Sequence, residues 1–393
     1  MVSKTKDSSK NSYRIALVHP HFRADGGAER AALITLQALE SKDVQAWVIS
    51  RSWQDADNSV HHIQCNPFYV GRLWREWGFA RAASRISRLG NFDLVQSQIR
   101  FRGCDIYRAG GGVHAEWLRQ RDRISSWWRR FLTRISPFHI YKLKTENDLY
   151  DDAGLRAVIC NSQMVKDEIH SRFGLDKNKI HVIYNAVDST YFTPDLIATY
   201  RNDVRRELGI HPQQTLFLFV GSGFERKGLS QAIKCLSRLS EPASLLVVGQ
   251  DKHYPRYQSL AKSLGLENQV MFLGIHKDVR PYYAAADVFI LPTLYDAFAN
   301  TVLEAMASGL PVITSLKCGA IDIIENGKNG FLCDALDTQT LTTFMEKMIS
   351  SPELRRTVGS KGRKTVTVFN LDRMSRQLLA LYESILENTF HGQ

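Results

Sequence analysis

Two cations and two carboxylates are the residues with the plainest chemical potential. Arg226 and Lys227 close the run Gly221-Ser-Gly-Phe-Glu-Arg-Lys-Gly228, and Asp296 and Glu304 bracket Asp296-Ala-Phe-Ala-Asn-Thr-Val-Leu-Glu304. A glycine turn before a helix offers free backbone N–H groups, and two cations beside it suit a pyrophosphate. The second run sets two acids eight residues apart around a helix start, with Phe298, Ala299, Asn300 and Thr301 between them. A third piece, Gly274-Ile-His-Lys-Asp278, carries Ile275 and His276. Each piece follows an apolar strand-like run, at 215–220, 287–291 and 269–273 respectively. Carboxyl ends of parallel strands are where open α/β sheets bind ligands.

Further strand-like runs lie at 14–19, 45–50, 94–97, 106–109, 244–249 and 331–334, with helical stretches such as 338–350 and 371–388 among them. That alternation predicts an α/β chain, and 393 residues suggest two domains. We expect a disordered lead-in over 1–12, an N-terminal domain over 13–190 and a linker region over 191–214 with a short helix at 203–208. A C-terminal domain over 215–370 and a last helical segment over 371–393 follow.

The N-terminal half adds its own glycine loops. Gly26 and Gly27 open a helix after the first strand, where backbone can approach a ligand closely, although any βα turn of such a domain has this form. Arg108-Ala-Gly-Gly-Gly-Val-His114 sets His114 beside three glycines in a loop suited to line a cleft. A lone histidine is more often structural than catalytic, and the glycine context favours a role for this one. Asp55-Ala56-Asp57 has the form of a DxD metal motif but sits in a polar loop and reads as solvated surface. No metal site and no cofactor are expected.

The segment 117–144 is the most unusual in composition: arginines alternate with aromatics, from Trp117, Arg119 and Arg123 to Trp127, Trp128, Arg129, Arg130 and Arg134. One reading is an interfacial segment on an anionic membrane or glycolipid. A second packs the tryptophans inward and leaves the arginines solvated. A third is a nucleic-acid surface with stacked bases. The formal net charge of +11 asks for an acidic partner without choosing among these. Six cysteines without paired spacing read as reduced core thiols of a cytosolic chain. No apolar run reaches the ~20 residues that span a bilayer.

The constellation resembles the retaining glycosyltransferases of family 4, whose E-x7-E pattern reads here as Asp296…Glu304, with Asp in first place. The Gly221–Gly228 run followed by Leu-Val-Val-Gly-Gln-Asp-Lys is similar to the glucosyltransferases of lipopolysaccharide inner-core assembly. Asn161-Ser162 and His181-Val-Ile-Tyr-Asn-Ala-Val-Asp188 match two further family segments, with Tyr184 for Pro and Ala186 for Gly. Ser222 stands where many members carry Arg, and Arg226 beside Lys227 would supply that charge.

The resemblance implies a GT-B fold: two facing Rossmann-like domains with a cleft between them and a C-terminal helix crossing back. It implies catalytic roles for Arg226, Lys227, Asp296 and His114. It implies donor binding by Gly26, Gly27, Gly221, Ser222, Ile275, His276, Phe298, Ala299, Asn300, Thr301 and Glu304. It implies membrane or acceptor contact by Trp117, Arg119, Arg123, Trp127, Trp128, Arg129, Arg130 and Arg134. The implied reaction moves a hexose, glucose from UDP-glucose, onto a lipopolysaccharide core or other lipid-linked glycan. Configuration is retained without metal, on the cytoplasmic face of the inner membrane, with no nucleic acid as partner. Two alternatives stay open: a GT-B sugar-nucleotide enzyme of another reaction, and a basic nucleic-acid-binding protein.

Overall fold

A computed structural model of the chain describes residues 13–22, 44–53 and 61–390. The expectations for the lead-in, for Gly26 and Gly27, and for Asp55-Ala56-Asp57 lie outside them. The first sheet holds β1 (Tyr13–Val18), β3 (Val44–Ser50), β5 (His61–Gln64), β6 (Leu94–Ser97), β7 (Ile106–Arg108), β8 (Ala157–Cys160) and β9 (Ile180–Val182). Its order is β5-β3-β1-β6-β7-β8-β9, with every pairing parallel. Beyond the ends of β1 and β3, β2 (His21–Phe22) pairs with β4 (Ser52–Trp53). The second sheet holds β10 (Thr215–Val220), β11 (Ala243–Val248), β12 (Val270–Gly274), β13 (Val288–Leu291), β14 (Val312–Ser315) and β15 (Phe331–Cys333). Its order is β12-β11-β10-β13-β14-β15, again all parallel.

Parallel sheets are covered on both faces, so their strands read as unbroken apolar runs. TLFLFV in β10 and ASLLVV in β11 are buried at every position. Reversal of strand order at β10 and β13 opens the crevice in which Arg226 and Asp296 meet. The chain returns to the first sheet at its end. The Leu371–Phe390 helix buries Met374, Leu378 and Tyr382 against Ile15, Leu94 and Ile106. The Tyr382 hydroxyl donates to Gln96 Oε1 at 2.7 Å. The fold is thus two parallel-sheet Rossmann-like halves with a long helix crossing back, the architecture the resemblance implied.

Three elements were not expected. β5 is an exposed edge strand with two histidines. The Gly71–Leu89 helix carries five arginines and buries only Gly78, Phe79, Ala80, Ala83 and Ser87, so its apolar period is faint. The Pro352–Val366 helix contains Gly359 and Gly362, which read as breakers. Packing explains the first of them, because a Cβ on Gly359 would lie 2.0 Å from the Gly309 carbonyl oxygen. The short linker helix runs longer than 203–208, over Leu196–Glu207, and Arg201 and Arg205 anchor it on Asp287 at 2.7 and 3.2 Å. All six cysteines are free and buried. Among the described residues no helix is long and apolar enough to cross a membrane.

Candidate active site

Glycines shape the cation-bearing turn. The chain leaves β10 through Gly221 and Gly223, makes a single helical turn over Phe224–Lys227, and turns again at Gly228. Gly228 has φ +79°, and a Cβ there would sit 1.8 Å from the Pro292 carbonyl oxygen, so only glycine lets the turn lie against the loop after β13. Phe224 is fully buried and anchors the turn. Arg226 and Lys227 are thereby aimed together at Asp296. Arg226 Nη1 lies 2.9 Å and Lys227 Nζ 2.5 Å from the same oxygen, Asp296 Oδ2. Burial by itself would raise the Asp296 pKa. Lys227 and then Arg226 outweigh it and hold the carboxyl below its usual range. One negative charge thus faces two positive ones, and the cage keeps a surplus positive charge for an arriving anion. The Arg226 side chain is 40% exposed and that of Lys227 10%, so Arg226 forms the open lip and Lys227 the floor.

The second acid belongs to the next helix. Asn300–Ala307 begins four residues after Asp296, and the N–H groups of its first turn have no partner within the helix. Glu304 is buried, and its Oε2 accepts from the Tyr283 hydroxyl at 3.0 Å. Asn300 Oδ1 accepts from Asn185 Nδ2 at 2.7 Å, a contact from the other half of the chain. Thr301 is half-buried and its hydroxyl oxygen has no partner. Phe298 and Ala299 have buried side chains within the core. Ser222 Oγ accepts from the Gln250 N–H at 3.3 Å. After β12, Ile275 stands exposed, and the His276 ring bonds the Leu273 carbonyl at 3.1 Å and the Tyr282 hydroxyl at 2.9 Å.

His114 comes from the facing half. It opens the His114–Asp122 helix, and its backbone N–H donates to Glu146 Oε1 at 2.8 Å. Arg100 pairs with the same Glu146 oxygen at 2.9 Å. The imidazole Nε2 shares a hydrogen bond of 3.1 Å with His139 Nδ1. Burial, then the nearby Arg100, pushes the His114 pKa down to about 3, so the ring is neutral at neutral pH.

One tyrosine ties the two halves together at this point. The Tyr295 hydroxyl, next in sequence to Asp296, accepts from the Val113 N–H and donates to Glu168 Oε2, each at 2.8 Å. Gly112 makes the approach possible, since a Cβ there would lie 2.3 Å from that hydroxyl oxygen. Lys317 reaches Glu168 at 3.0 Å and Glu116 at 3.2 Å, and Ser162 Oγ donates to the Ala297 carbonyl at 2.8 Å. Sequence reasoning noted the triple glycine and Asp296 but missed Tyr295, Glu168 and Lys317. Adjacency to Asp296 was the one available signal.

The segment 117–144 divides into the helices His114–Asp122, Trp127–Ile135 and Pro137–Tyr150. Trp127 is 80% exposed, and Trp128, Phe131, Leu132 and Ile135 are exposed beside Arg129, Arg130 and Arg134, which removes the inward-packed reading of the tryptophan pair. Trp117 is half-buried. Arg119 is bidentate on Glu116 at 2.8 and 2.7 Å. Arg123 is bidentate on Asp334 of the second sheet's half, both contacts at 2.9 Å. Arg123 therefore belongs with the ties across the cleft, whereas the Arg119 pair lies within its own helix. Among the described residues, no group of three or more His, Cys, Asp or Glu side chains could hold a metal ion.

Comparison with known proteins agrees with this geometry. The family model "Glycosyltransferase Family 4" matches residues 25–191 and "Glycosyl transferases group 1" matches 201–365. The lipopolysaccharide core biosynthesis glycosyltransferase LpsE of Rhizobium meliloti is 24% identical over 89% of this chain and 93% of its own. Two further curated relatives are matched over 60% of their own length. The solved structure of WaaG, a glycosyltransferase involved in lipopolysaccharide biosynthesis, superposes with TM-score 0.79 at 22% identity, covering 92% of this chain and 98% of that one. An Anabaena protein, HepE, solved in complex with UDP and glucose, gives TM-score 0.70 at 20% identity, with 95% and 100% covered. With one model matching each half and the GT-B architecture around one cleft, the chain belongs to the family-4 glycosyltransferases.

Proposed function

We propose that this chain transfers glucose from UDP-glucose, with retention of configuration and without a metal ion, to a lipopolysaccharide core or other lipid-linked glycan. The observation that carries the reading is the cage of Arg226 and Lys227 on Asp296, set at the mouth of the Asn300–Ala307 helix and tied through Tyr295 to the loop of His114. Breaking a sugar–diphosphate bond develops negative charge on the leaving phosphate. Two fixed cations and helix N–H groups stabilise that charge without rearrangement. Asp296 holds both cations in place before the donor arrives, and Lys227, on the floor, has little freedom to lose. Glu304, which accepts from Tyr283, would bind the ribose diol, and neutral His114 can donate to or accept from a sugar hydroxyl. In front-face attack the leaving phosphate accepts the acceptor's proton, so no protein nucleophile is needed. The names of LpsE, WaaG and HepE support the acceptor class and the donor.

Attachment to the membrane is peripheral in this reading. The Trp127–Ile135 helix presents tryptophans and arginines outward, which suits an anionic membrane face carrying the acceptor. A panel of labelled UDP-, GDP- and ADP-sugars offered with truncated lipopolysaccharide tests the function. Transfer from UDP-glucose in the presence of EDTA, with an α-linked product, is expected. Transfer only from another donor, an inverted product, or activity that needs added Mg²⁺ or Mn²⁺ would count against it.

A further inference from the structure

The outward face of the Gly71–Leu89 helix has no part in the reading above. Its inward face buries Phe79, Ala83 and Ser87, four residues apart. The opposite face brings out Trp74, Trp77, Arg81, Arg85 and Arg88. Trp74 and Trp77 are each 44% exposed, and Phe68 and Val70, just before the helix, are exposed with them. Phe68 meets Trp74 edge-on at 5.7 Å, and the Arg81 guanidinium lies 5.7 Å from the Trp77 ring centre. A trough of about 920 Å³ runs along this face. Arg81 and Arg88 also border a groove of about 460 Å³ whose far wall carries Arg102 and Lys144, with Asp148 the one carboxylate among its described lining residues. The helix has a single acid, Glu76, and it is turned to Lys142 at 2.7 Å.

We propose that this face is a second lipid-binding surface, which docks on the phosphate headgroups of an anionic bilayer. Arg81, Arg85 and Arg88 are four and three residues apart, about 6 and 4.5 Å along the axis, and the helix places no acid among them. Such a row complements a sheet of phosphates. The apolar members decide between lipid and nucleic acid. Bases stack on aromatic faces, but Val70 and Leu89 are aliphatic and exposed at the two ends of the stripe. Aliphatic side chains gain from the acyl boundary of a bilayer and nothing from a base. The position agrees. Both this helix and Trp127–Ile135 pack on the Pro137–Tyr150 helix, and Arg72 lies 3.9 Å from the Phe138 ring centre. The proposal extends the peripheral-membrane reading but rests on different residues, so either can fail alone.

Co-sedimentation of the full chain with phosphatidylcholine vesicles, with and without phosphatidylglycerol, is the test. The triple variant Arg81→Ser, Arg85→Ser, Arg88→Ser is compared with Arg129→Ser, Arg130→Ser, Arg134→Ser. Each arginine contributes about fivefold at low salt, so the first triple should bind phosphatidylglycerol vesicles roughly a hundredfold more weakly. In a Trp127→Phe, Trp128→Phe background, brominated lipid should still quench the fluorescence through Trp74 and Trp77. Vesicle binding by the first triple equal to wild type, or no residual quenching, would overturn the proposal. A first triple that loses binding to a DNA duplex but keeps its vesicles would also overturn it and mark a nucleic-acid surface. If only the second triple keeps full binding, the Trp127–Ile135 reading fails and this surface stands.

Discussion

At the residue scale the account turns on three charged groups sharing one oxygen. Asp296 Oδ2 accepts from both Arg226 and Lys227, and the sequence showed the cations and the acid but not that they meet, since 69 residues separate Lys227 from Asp296. Arg226→Ala and Lys227→Ala should each lower transfer by about 2–4 kcal/mol of transition-state stabilisation while the fold survives. Near-wild-type rates in both variants would remove them from the chemistry. His114 makes a separate prediction. Burial and Arg100 hold its pKa in the folded chain down at about 3, against ~6.5 in the unfolded chain. As pH falls from 6.5 toward 3, the unfolded chain takes up a proton that the folded chain refuses, so this site's contribution is lost over that window. In His114→Gln the drop in stability between pH 7 and pH 5 should be smaller, read from urea unfolding at both pH values. An identical drop would mean the ring is already solvated.

At the scale of elements, legibility followed apolar contrast. β10 was readable because an unbroken apolar run ends at a glycine turn, and the Asn300 helix start was readable because the strand before it stops cleanly. The Gly71–Leu89 helix was not, because burying a few small residues leaves arginines on most of its surface. The Trp127–Ile135 helix was recognised as unusual, but composition could not say which way its tryptophans point. It buries no residue at all. Changing Trp127 and Trp128 to Ser should weaken vesicle binding even at high salt, because the apolar contribution is unscreened. Changing Arg129, Arg130 and Arg134 to Ser should weaken it mainly at low salt. Equal co-sedimentation of both variants and wild type would make this helix an ordinary solvated face.

At the scale of the molecule, two α/β domains were legible from alternation and length, and the cleft and the returning helix from the family resemblance, but the contacts that close the cleft were not. Its closure depends on contacts between residues far apart in sequence, such as Tyr295 with Val113 and Ser162 with Ala297. Local pattern carries no trace of such pairs. Tyr295→Phe removes one hydroxyl and leaves the Val113 N–H and Glu168 without it, a cost of about 1–3 kcal/mol for buried groups. The variant should stay folded and sample a more open cleft. Its kcat should fall more than its donor KM rises, with a larger radius of gyration by X-ray scattering. Unchanged kinetics and scattering would show that the tyrosine does not govern closure.

The central claim is that Arg226 and Lys227, held by Asp296, are the seat of the donor's diphosphate. Calorimetric binding of UDP and UMP to the wild-type chain and to Lys227→Ala tests it most directly. The account predicts that wild type binds UDP more tightly than UMP, and that most of this difference disappears in the variant while UMP affinity is little changed. A preference for UDP that survives intact in Lys227→Ala would place the diphosphate elsewhere and contradict the account.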